Sequence, residues 1–198
     1  MKRAPRVAAV QDISGFGRCS MTVALPVLSA MGAQCCPLPT AYLSAHTAFP
    51  ELGKAAFLDL TRELEQTQEH WAALGVALDA VYSGFIGSAG QIAAIRRFYE
   101  RFRGADTVVL CDPVMGDGGR PYRTYTPDMC RAMGELAALA DVITPNLTEA
   151  ALLLGEEYAD APGSETAARA WLERLSRDGR RSVVLTGLSF TGGEIGAG

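Results

Sequence analysis

The sequence predicts an α/β fold with a mostly parallel central sheet. Short runs rich in β-branched residues alternate with helical patterns of ten or more residues, which is typical of parallel strands joined by right-handed crossovers. The run Val183–Leu185 is apolar throughout, as expected for a strand that is covered on both faces. We therefore expect residues 1–198 to form one domain of three layers, α/β/α.

The first half of the chain begins this alternation. Arg6–Val10 is an apolar run, and the helix after it begins at Cys19–Ser20 and ends at Gly32. Leu52–Leu74 carries a helical periodicity along its length. In chain order, the predicted strands are Arg6–Val10, Ala33–Pro37 and Ala80–Ser83, and the predicted helices are Met21–Met31, Leu52–Leu74 and Ala89–Phe102.

The second half continues the alternation. Thr107–Cys111 is the clearest buried strand, and we expect Gly155–Gly163 to be an exposed loop because it is rich in Gly, Pro and acidic residues. The predicted strands are Thr107–Cys111, Val142–Thr144 and Ser182–Thr186, and the predicted helices are Pro127–Leu139, Thr148–Leu154 and Glu165–Arg177.

Composition excludes several classes of function. The chain has 198 residues, 48 % of them hydrophobic, and a net charge of −4 without any long basic run, so we expect no nucleic-acid partner. No run approaches the roughly 18 apolar residues of a membrane span. The apolar stretch Val7–Val10 is too short for the core of a signal peptide, so a cytoplasmic protein is expected.

Polar residues follow the predicted strands at or just past their ends. Ligands of open α/β sheets bind outside the carboxyl ends of the strands, so these residues are expected to gather at one edge. They are Asp12, Ser83, Asp112, Asn146 and Thr186.

The segment Asp112–Asp117 places two carboxylates five residues apart across a turn that contains Pro113 and Gly116. Carboxylates turned into one cleft suit a hydrated Mg²⁺ ion beside phosphate groups. The alternative is a turn that ends a strand and carries solvated acids, because Asp-Pro is a common turn pair.

The pair Asn146 and Glu149 opens a predicted helix. The spacing favours a capping box, with Asn146 as N-cap and Glu149 at the third helical position. The functional alternative has Glu149 holding a metal-bound water and Asn146 contacting phosphate near the helix N-terminus. The two interpretations are compatible.

Several of these segments resemble the pyridoxal kinase branch of the ribokinase-like superfamily. The most specific are Cys111–Asp117 (Cys-Asp-Pro-Val-Met-Gly-Asp) and Thr144–Ala150 (Thr-Pro-Asn-Leu-Thr-Glu-Ala). Ser44–Thr47 is similar to the substrate loop of the family, and Ser83–Ser88 to the segment beside the pyridine ring. The resemblance runs along essentially all 198 residues.

The resemblance implies phosphorylation of the 5′-hydroxymethyl group of pyridoxal, pyridoxine or pyridoxamine, with ATP and Mg²⁺, in vitamin B6 salvage. By the same resemblance, the vitamin pocket would be lined by Asp12, Thr40, His46, Thr47 and Phe85. ATP and its phosphates would be bound by Asp112, Asp117, Asn146, Glu149 and Thr186, and Mg²⁺ by Asp112 and Glu149. A homodimer is expected for the full-length protein.

The chain departs from the family pattern at three points. Asp12 stands where Ser is common, which favours pyridoxamine, and Phe85 stands where Tyr is common, which keeps ring stacking without a hydroxyl. The closing Gly-x-Gly-Asp segment, with the family's catalytic aspartate, is not found before Gly198. We therefore expect a C-terminally truncated domain with impaired activity, and no catalytic base is assigned.

Two alternatives stay open. A hydroxymethylpyrimidine (phosphate) kinase of thiamin biosynthesis shares this fold. A fragment that binds pyridoxal or ATP without transferring phosphate would keep Asp112, Asn146 and Glu149 but lack a base.

Overall fold

The computed structural model describes residues 3–47, 49, 52–190 and 196–197. The chain divides into two units, Met1–Val109 and Leu110–Gly198, and the boundary falls inside one strand. No helix in the described ranges is long and apolar enough to cross a membrane.

The first unit is built on strands in the order β3-β2-β1-β4. Strands β2 and β4 pair with β1 in parallel, and β3 pairs with β2 antiparallel. The strands are β1 (Arg6–Ser14), β2 (Gln34–Leu43), β3 (Phe57–Asp59) and β4 (Ala80–Ser83), and the helices are α1 (Met21–Ala30), α2 (Thr61–Ala73) and α3 (Ala89–Phe102).

The core of the first unit is fixed by the amphipathic pattern of α3. Ser88 caps this helix by accepting a hydrogen bond from the Gln91 N–H. One face of the helix then buries Ile92, Ile95 and Phe98, and the Phe98 ring packs edge-on against Trp71 of α2 with centroids 6.2 Å apart.

The predicted helix over Leu52–Leu74 is wrong in its first part. Leu52–Lys54 is a short 3₁₀ turn, β3 follows, and the helix begins only at Thr61. Phe57 and Leu58 are extended because they pair with the edge of β2, so a tertiary contact overrides the local periodicity. The Asp59 carboxylate then accepts a hydrogen bond from the Thr61 N–H at 2.8 Å, at the start of the helix.

The second unit contains parallel strands in the order β5-β8-β9 and two short antiparallel hairpins, β6–β7 and β10–β11. The strands are β5 (Val108–Cys111), β6 (Gly116–Asp117), β7 (Arg120–Pro121), β8 (Val142–Ile143), β9 (Ser182–Val183), β10 (Thr186–Leu188) and β11 (Gly196–Ala197). The helices are α4 (Pro127–Ala137), α5 (Leu147–Leu154) and α6 (Glu165–Ser176).

Each α-helix of the second unit begins with a capping residue whose side chain accepts a hydrogen bond from a backbone N–H group of the first turn. The capping residues are Thr126, Asn146 and Ser164. The predicted strand Ser182–Thr186 is divided, because β9 ends at Val183 and Thr186 belongs to the hairpin β10–β11. The expected α/β class with mostly parallel strands is confirmed.

Candidate functional site

Asp112 lies directly after β5, where the chain leaves the sheet of the second unit. The following turn leads into the hairpin β6–β7, and Gly116 begins that hairpin in close contact with its partner strand. A Cβ atom on Gly116 would lie 2.9 Å from the Cα of Pro121 and closer still to the carbonyl oxygen of Arg120. Only glycine fits there, so the path of the chain between Asp112 and Asp117 depends on this residue.

The N-terminus of α5 holds this turn in place. Asn146 and Glu149 form a capping box, as the spacing predicted: Asn146 Oδ1 accepts from the Glu149 N–H at 3.0 Å, and Glu149 Oε2 accepts from the Asn146 N–H at 2.9 Å. Glu149 Oε1 also accepts from the Met115 N–H at 3.2 Å, and Asn146 Nδ2 donates to the Gly116 carbonyl at 2.9 Å. The capping residues therefore bind the Asp112–Asp117 turn as well as their own helix.

Burial changes the acidity of the two carboxyl groups in this site. Glu149 is 3 % exposed, and burial raises its pKa to about 8, aided by the nearby Asp112 charge, although its backbone hydrogen bonds act in the opposite direction. Burial also raises the pKa of Asp112 to about 6, against a hydrogen bond with the Thr144 side chain. Two desolvated carboxyl groups thus lie close together, and a nearby cation would stabilise their charged forms.

Thr186 and Asp117 lie at the margins of this site. Thr186 forms an isolated parallel bridge with Asn146, and its hydroxyl donates to the Pro145 carbonyl at 3.4 Å. Asp117 is exposed in the hairpin, and its Oδ1 accepts from the Gly118 N–H at 2.8 Å. The structure therefore brings Asp112, Asn146, Glu149 and Thr186 together, with Asp117 at the solvent-facing edge of the same turn.

Tyr122 ends the segment Asp117–Tyr122, which suits the pyridoxal kinase branch, but the sequence did not place it among the site residues. It is half-buried after β7, and burial together with the negative charges of Glu149, Asp117 and Asp112 raises the pKa of its phenol. The local signals are its position just after the Asp112–Asp117 turn and its place at the end of the segment Asp117–Tyr122.

The donor set of the site fits Mg²⁺. No group of three or more His, Cys, Asp and Glu side chains in the described ranges is placed to hold a metal ion. The site itself offers two neighbouring carboxyl groups, those of Asp112 and Glu149. Mg²⁺ is commonly held by one or two carboxylates and completes its shell with water and substrate phosphate. Both oxygens of Glu149 already accept backbone N–H groups, and their remaining lone pairs suit a metal-bound water.

In the first unit, Asp12 does not follow a strand end as expected. Strand β1 continues to Ser14, and its register with β2 shifts between Gln11 and Ile13, so Asp12 lies at an irregularity inside the strand. Its carboxylate is 3 % exposed and accepts a hydrogen bond from the Ser14 hydroxyl at 2.8 Å. Such an irregularity re-aims a side chain, which keeps Asp12 a candidate ligand contact.

Thr40 and Phe85 lie next to each other in the first unit. The Thr40 hydroxyl is buried and donates to the Phe85 carbonyl at 3.1 Å, and Gln91 Nε2 donates to the Thr40 carbonyl at 2.7 Å. Thr40 therefore positions the backbone that carries the Phe85 ring. Ser83, by contrast, turns its hydroxyl to the hydroxyl of Tyr99 within the core.

His46 and Thr47 are half-buried in the loop after β2. The His46 N–H donates to the Phe16 carbonyl at 2.9 Å, and the rings of Phe16 and Phe49 lie 5.2 Å apart beside it. The loop thus folds back onto the segment after β1, and its polar residues lie at the surface rather than in the core.

Gln11 is a second residue that the sequence reasoning did not weigh as a site residue. It is 3 % exposed, and its Nε2 has no hydrogen-bond partner among the described residues. A Cβ on Gly84 would lie 2.7 Å from the Gln11 amide carbon, so glycine at 84 leaves room for this side chain.

The chain is similar to known proteins both in sequence and in structure. The family model described as phosphomethylpyrimidine kinase matches residues 25–195. The pyridoxal kinase PdxY of Deinococcus radiodurans is 32 % identical over 192 residues, covering 92 % of this chain and 62 % of the relative. The chain thus spans less than two thirds of the length of that relative.

Two solved structures are also similar. One is a Bacteroides thetaiotaomicron protein described as a phosphomethylpyrimidine kinase, in a crystal form with pyridoxal. It has a TM-score of 0.87 and 42 % sequence identity, and the match covers 94 % of this chain and 64 % of that protein. Pyridoxal kinase from Lactobacillus plantarum has a TM-score of 0.80 and 32 % identity over 100 % of this chain and 68 % of its own. The chain therefore belongs to the phosphomethylpyrimidine kinase family, among its pyridoxal kinase relatives of ribokinase-like fold.

Proposed function

We propose that this chain carries the nucleotide and vitamin sites of a kinase that transfers a phosphoryl group from ATP to the 5′-hydroxymethyl group of a vitamin B6 vitamer. The observation that carries the proposal is the pair of desolvated carboxyl groups, Asp112 and Glu149, fixed at the N-terminus of α5. Such a pair is costly without a cation and suits the magnesium complex of a nucleotide. The resemblance to pyridoxal kinases indicates the acceptor.

The residues of the second unit would position phosphate rather than react with it. Phosphoryl transfer depends mainly on alignment and charge neutralisation. Asp112 and Glu149 would hold Mg²⁺, which supplies positive charge to the phosphate oxygens when it is bound. The positive end of the α5 dipole would face the phosphates, with Asn146 and Thr186 beside it and Asp117 and Tyr122 at the edge.

The residues of the first unit would bind the vitamin. The buried Asp12 carboxylate would accept a hydrogen bond from the vitamer, and the Phe85 ring would stack on the pyridine. His46 and Thr47 would contact the vitamin from the loop, and Thr40 would hold the Phe85 backbone. A charged acceptor at position 12 favours the amine of pyridoxamine.

The direct experiment gives the purified protein Mg²⁺, ATP and an equimolar mixture of pyridoxal and hydroxymethylpyrimidine. We expect the product to be pyridoxal 5′-phosphate rather than the pyrimidine phosphate, formed at a low rate because no catalytic base is assigned. Exclusive formation of the pyrimidine phosphate would move the function to the thiamin-pathway alternative, which the description of the family model favours. Calorimetric binding of pyridoxal and ATP without product would identify a non-catalytic binder.

Replacing Asp112 by asparagine is expected to weaken Mg²⁺-dependent ATP binding by about 10–100-fold, since hydrogen bonds and contacts to charged groups contribute about 1.5–3 kcal/mol. Titration calorimetry with and without Mg²⁺ measures the change. Asp106→Asn, at an exposed position of the first unit, is the matched control and should bind like the wild type. An equal loss of ATP affinity in both variants would contradict the assignment of Asp112 to the magnesium site.

Replacing Asp12 by asparagine is expected to lower the affinity for pyridoxamine by about 10-fold or more while ATP affinity stays unchanged. Asparagine keeps the size of the side chain and can still accept from Ser14, so the change removes mainly the charge. Pyridoxamine binding followed by calorimetry is the measurement. Unchanged pyridoxamine affinity would remove Asp12 from the vitamin site.

A further inference from the structure

A cavity of about 610 Å³ lies between helices α4, α5 and α6 of the second unit. Its volume falls within the range of roughly 300–1,000 Å³ that small-molecule sites occupy. Leu152, Leu153 and Leu175 give it an apolar wall, and none of its lining residues belongs to the candidate kinase site. It is therefore a separate place where a ligand could be held.

The charge of this cavity is opposite to that of the protein. The chain carries a net charge of −4, yet four arginines and a single glutamate, Glu135, line the cavity. Two of the arginines have acidic partners, because Arg131 pairs with Asp128 and Arg174 pairs with Glu156 at 2.6 Å. The other two, Arg177 and Arg181, pair with no carboxylate of the described residues.

The two arginines without acidic partners are fixed by backbone carbonyl groups. Arg181 donates from Nε to the Leu175 carbonyl at 2.6 Å and from one terminal nitrogen to the Ala137 carbonyl at 2.7 Å. Arg177 donates to the Ala138 carbonyl at 3.3 Å. Arg181 is thereby held at the carboxyl ends of α4 and α6, and the exposed Arg177 lies beside the end of α4, where the helix dipoles favour positive charge.

The carbonyl groups do not remove the repulsion between these arginines. Arg181 is half-buried, and its burial together with the neighbouring Arg177 lowers the pKa of its guanidinium. A guanidinium group forms up to five hydrogen bonds, and the contacts above use only part of that capacity. Two neighbouring positive charges with remaining donor capacity thus border a cavity that has a leucine wall.

We propose that this cavity binds the phosphate monoester of a small organic molecule. A phosphate monoester carries a charge of about −1.5 to −2 at pH 7, which matches the two arginines, and its oxygens accept paired hydrogen bonds from guanidinium forks. The organic part would lie against the leucines. The site is independent of the proposed kinase activity and goes beyond it.

Phenyl phosphate is a suitable probe, titrated in EDTA so that no metal complex forms. We expect Arg177→Asn to weaken its binding by about 10-fold or more, the loss of one charge-assisted contact. Asparagine is chosen because residue 177 has φ 54°, a left-handed conformation that Asn tolerates, so the fold should be kept. Arg177→Lys keeps the charge but loses the guanidinium fork, so its affinity should lie between those of Arg177→Asn and the wild type.

Two controls locate the binding. Arg97→Gln removes an exposed arginine of the first unit that pairs with Glu65, and it should bind phenyl phosphate like the wild type. Inorganic phosphate should bind more weakly than phenyl phosphate because it lacks the apolar part. The proposal is overturned if Arg177→Asn binds like the wild type, if Asp112→Asn changes the affinity for phenyl phosphate in either direction, or if the wild type shows no binding at millimolar phenyl phosphate.

Discussion

Replacing Glu149 by glutamine is expected to remove the loss of stability that the metal-free protein undergoes between about pH 6 and pH 8. The pKa of Glu149 rises from about 4.5 to about 8 on folding, so in this range the native state binds a proton that the unfolded state has released. Stability therefore falls as the pH rises through this range. The free energy of unfolding should fall by about 1–3 kcal/mol, because one unit of pKa corresponds to about 1.36 kcal/mol.

Denaturant unfolding in EDTA at a series of pH values measures this effect. Glutamine resembles the protonated acid, so the variant should have a flatter profile above about pH 6, while Asp112, with its pKa of about 6, still contributes below that pH. Glu157→Gln, at an exposed position, is the matched control and should keep the wild-type profile. A profile of Glu149→Gln that parallels the wild type would show that Glu149 is ionised throughout.

The proton on the Glu149 carboxyl group also affects ligand binding. A cation that occupies the site favours the charged carboxylates, so binding of Mg²⁺ with ATP should release protons at pH 7 and strengthen as the pH rises towards 8. Calorimetry in buffers of different ionisation enthalpy counts the released protons. Glu149→Gln should reduce that number.

Replacing Gly116 by alanine is expected to destabilise the second unit by about 1–3 kcal/mol and to weaken Mg²⁺-dependent ATP binding. The added methyl group would meet backbone atoms of Arg120 and Pro121, which cannot move without opening the hairpin β6–β7. The Gly116 carbonyl also accepts from Asn146 Nδ2, so the displacement would reach the capping box that holds Glu149.

Gly163→Ala is the matched control for this substitution. Gly163 lies in an exposed loop, and a Cβ there would meet no atom within 4 Å, so alanine should be neutral or slightly stabilising. Thermal melting and ATP titration of both variants separate the two cases. If Gly116→Ala melts and binds like Gly163→Ala, the hairpin is not the support that its geometry indicates.

The sequence predicted some features of the site and missed others, for identifiable reasons. The Asn146 and Glu149 spacing predicted the capping box because the hydrogen bonds that form it are local. The placement of Asp12 at a strand end was wrong because β1 is extended by pairing with β2, which the apolar pattern of Arg6–Val10 does not record. Tyr122 and Gln11 were not assigned to the site because only burial distinguishes them from ordinary polar residues.

The sequence by itself determined the α/β class, the family and the identity of the two motifs, because these depend on local periodicity and on specific runs of residues. The tertiary structure alone decided that Glu149 serves both the α5 cap and the Asp112–Asp117 turn. It also decided that both carboxyl groups have raised pKa values, and that Arg177 and Arg181 border a cavity. Desolvation of a side chain and its proximity to other charges depend on which distant segments pack together in the fold. A local sequence pattern does not contain that information.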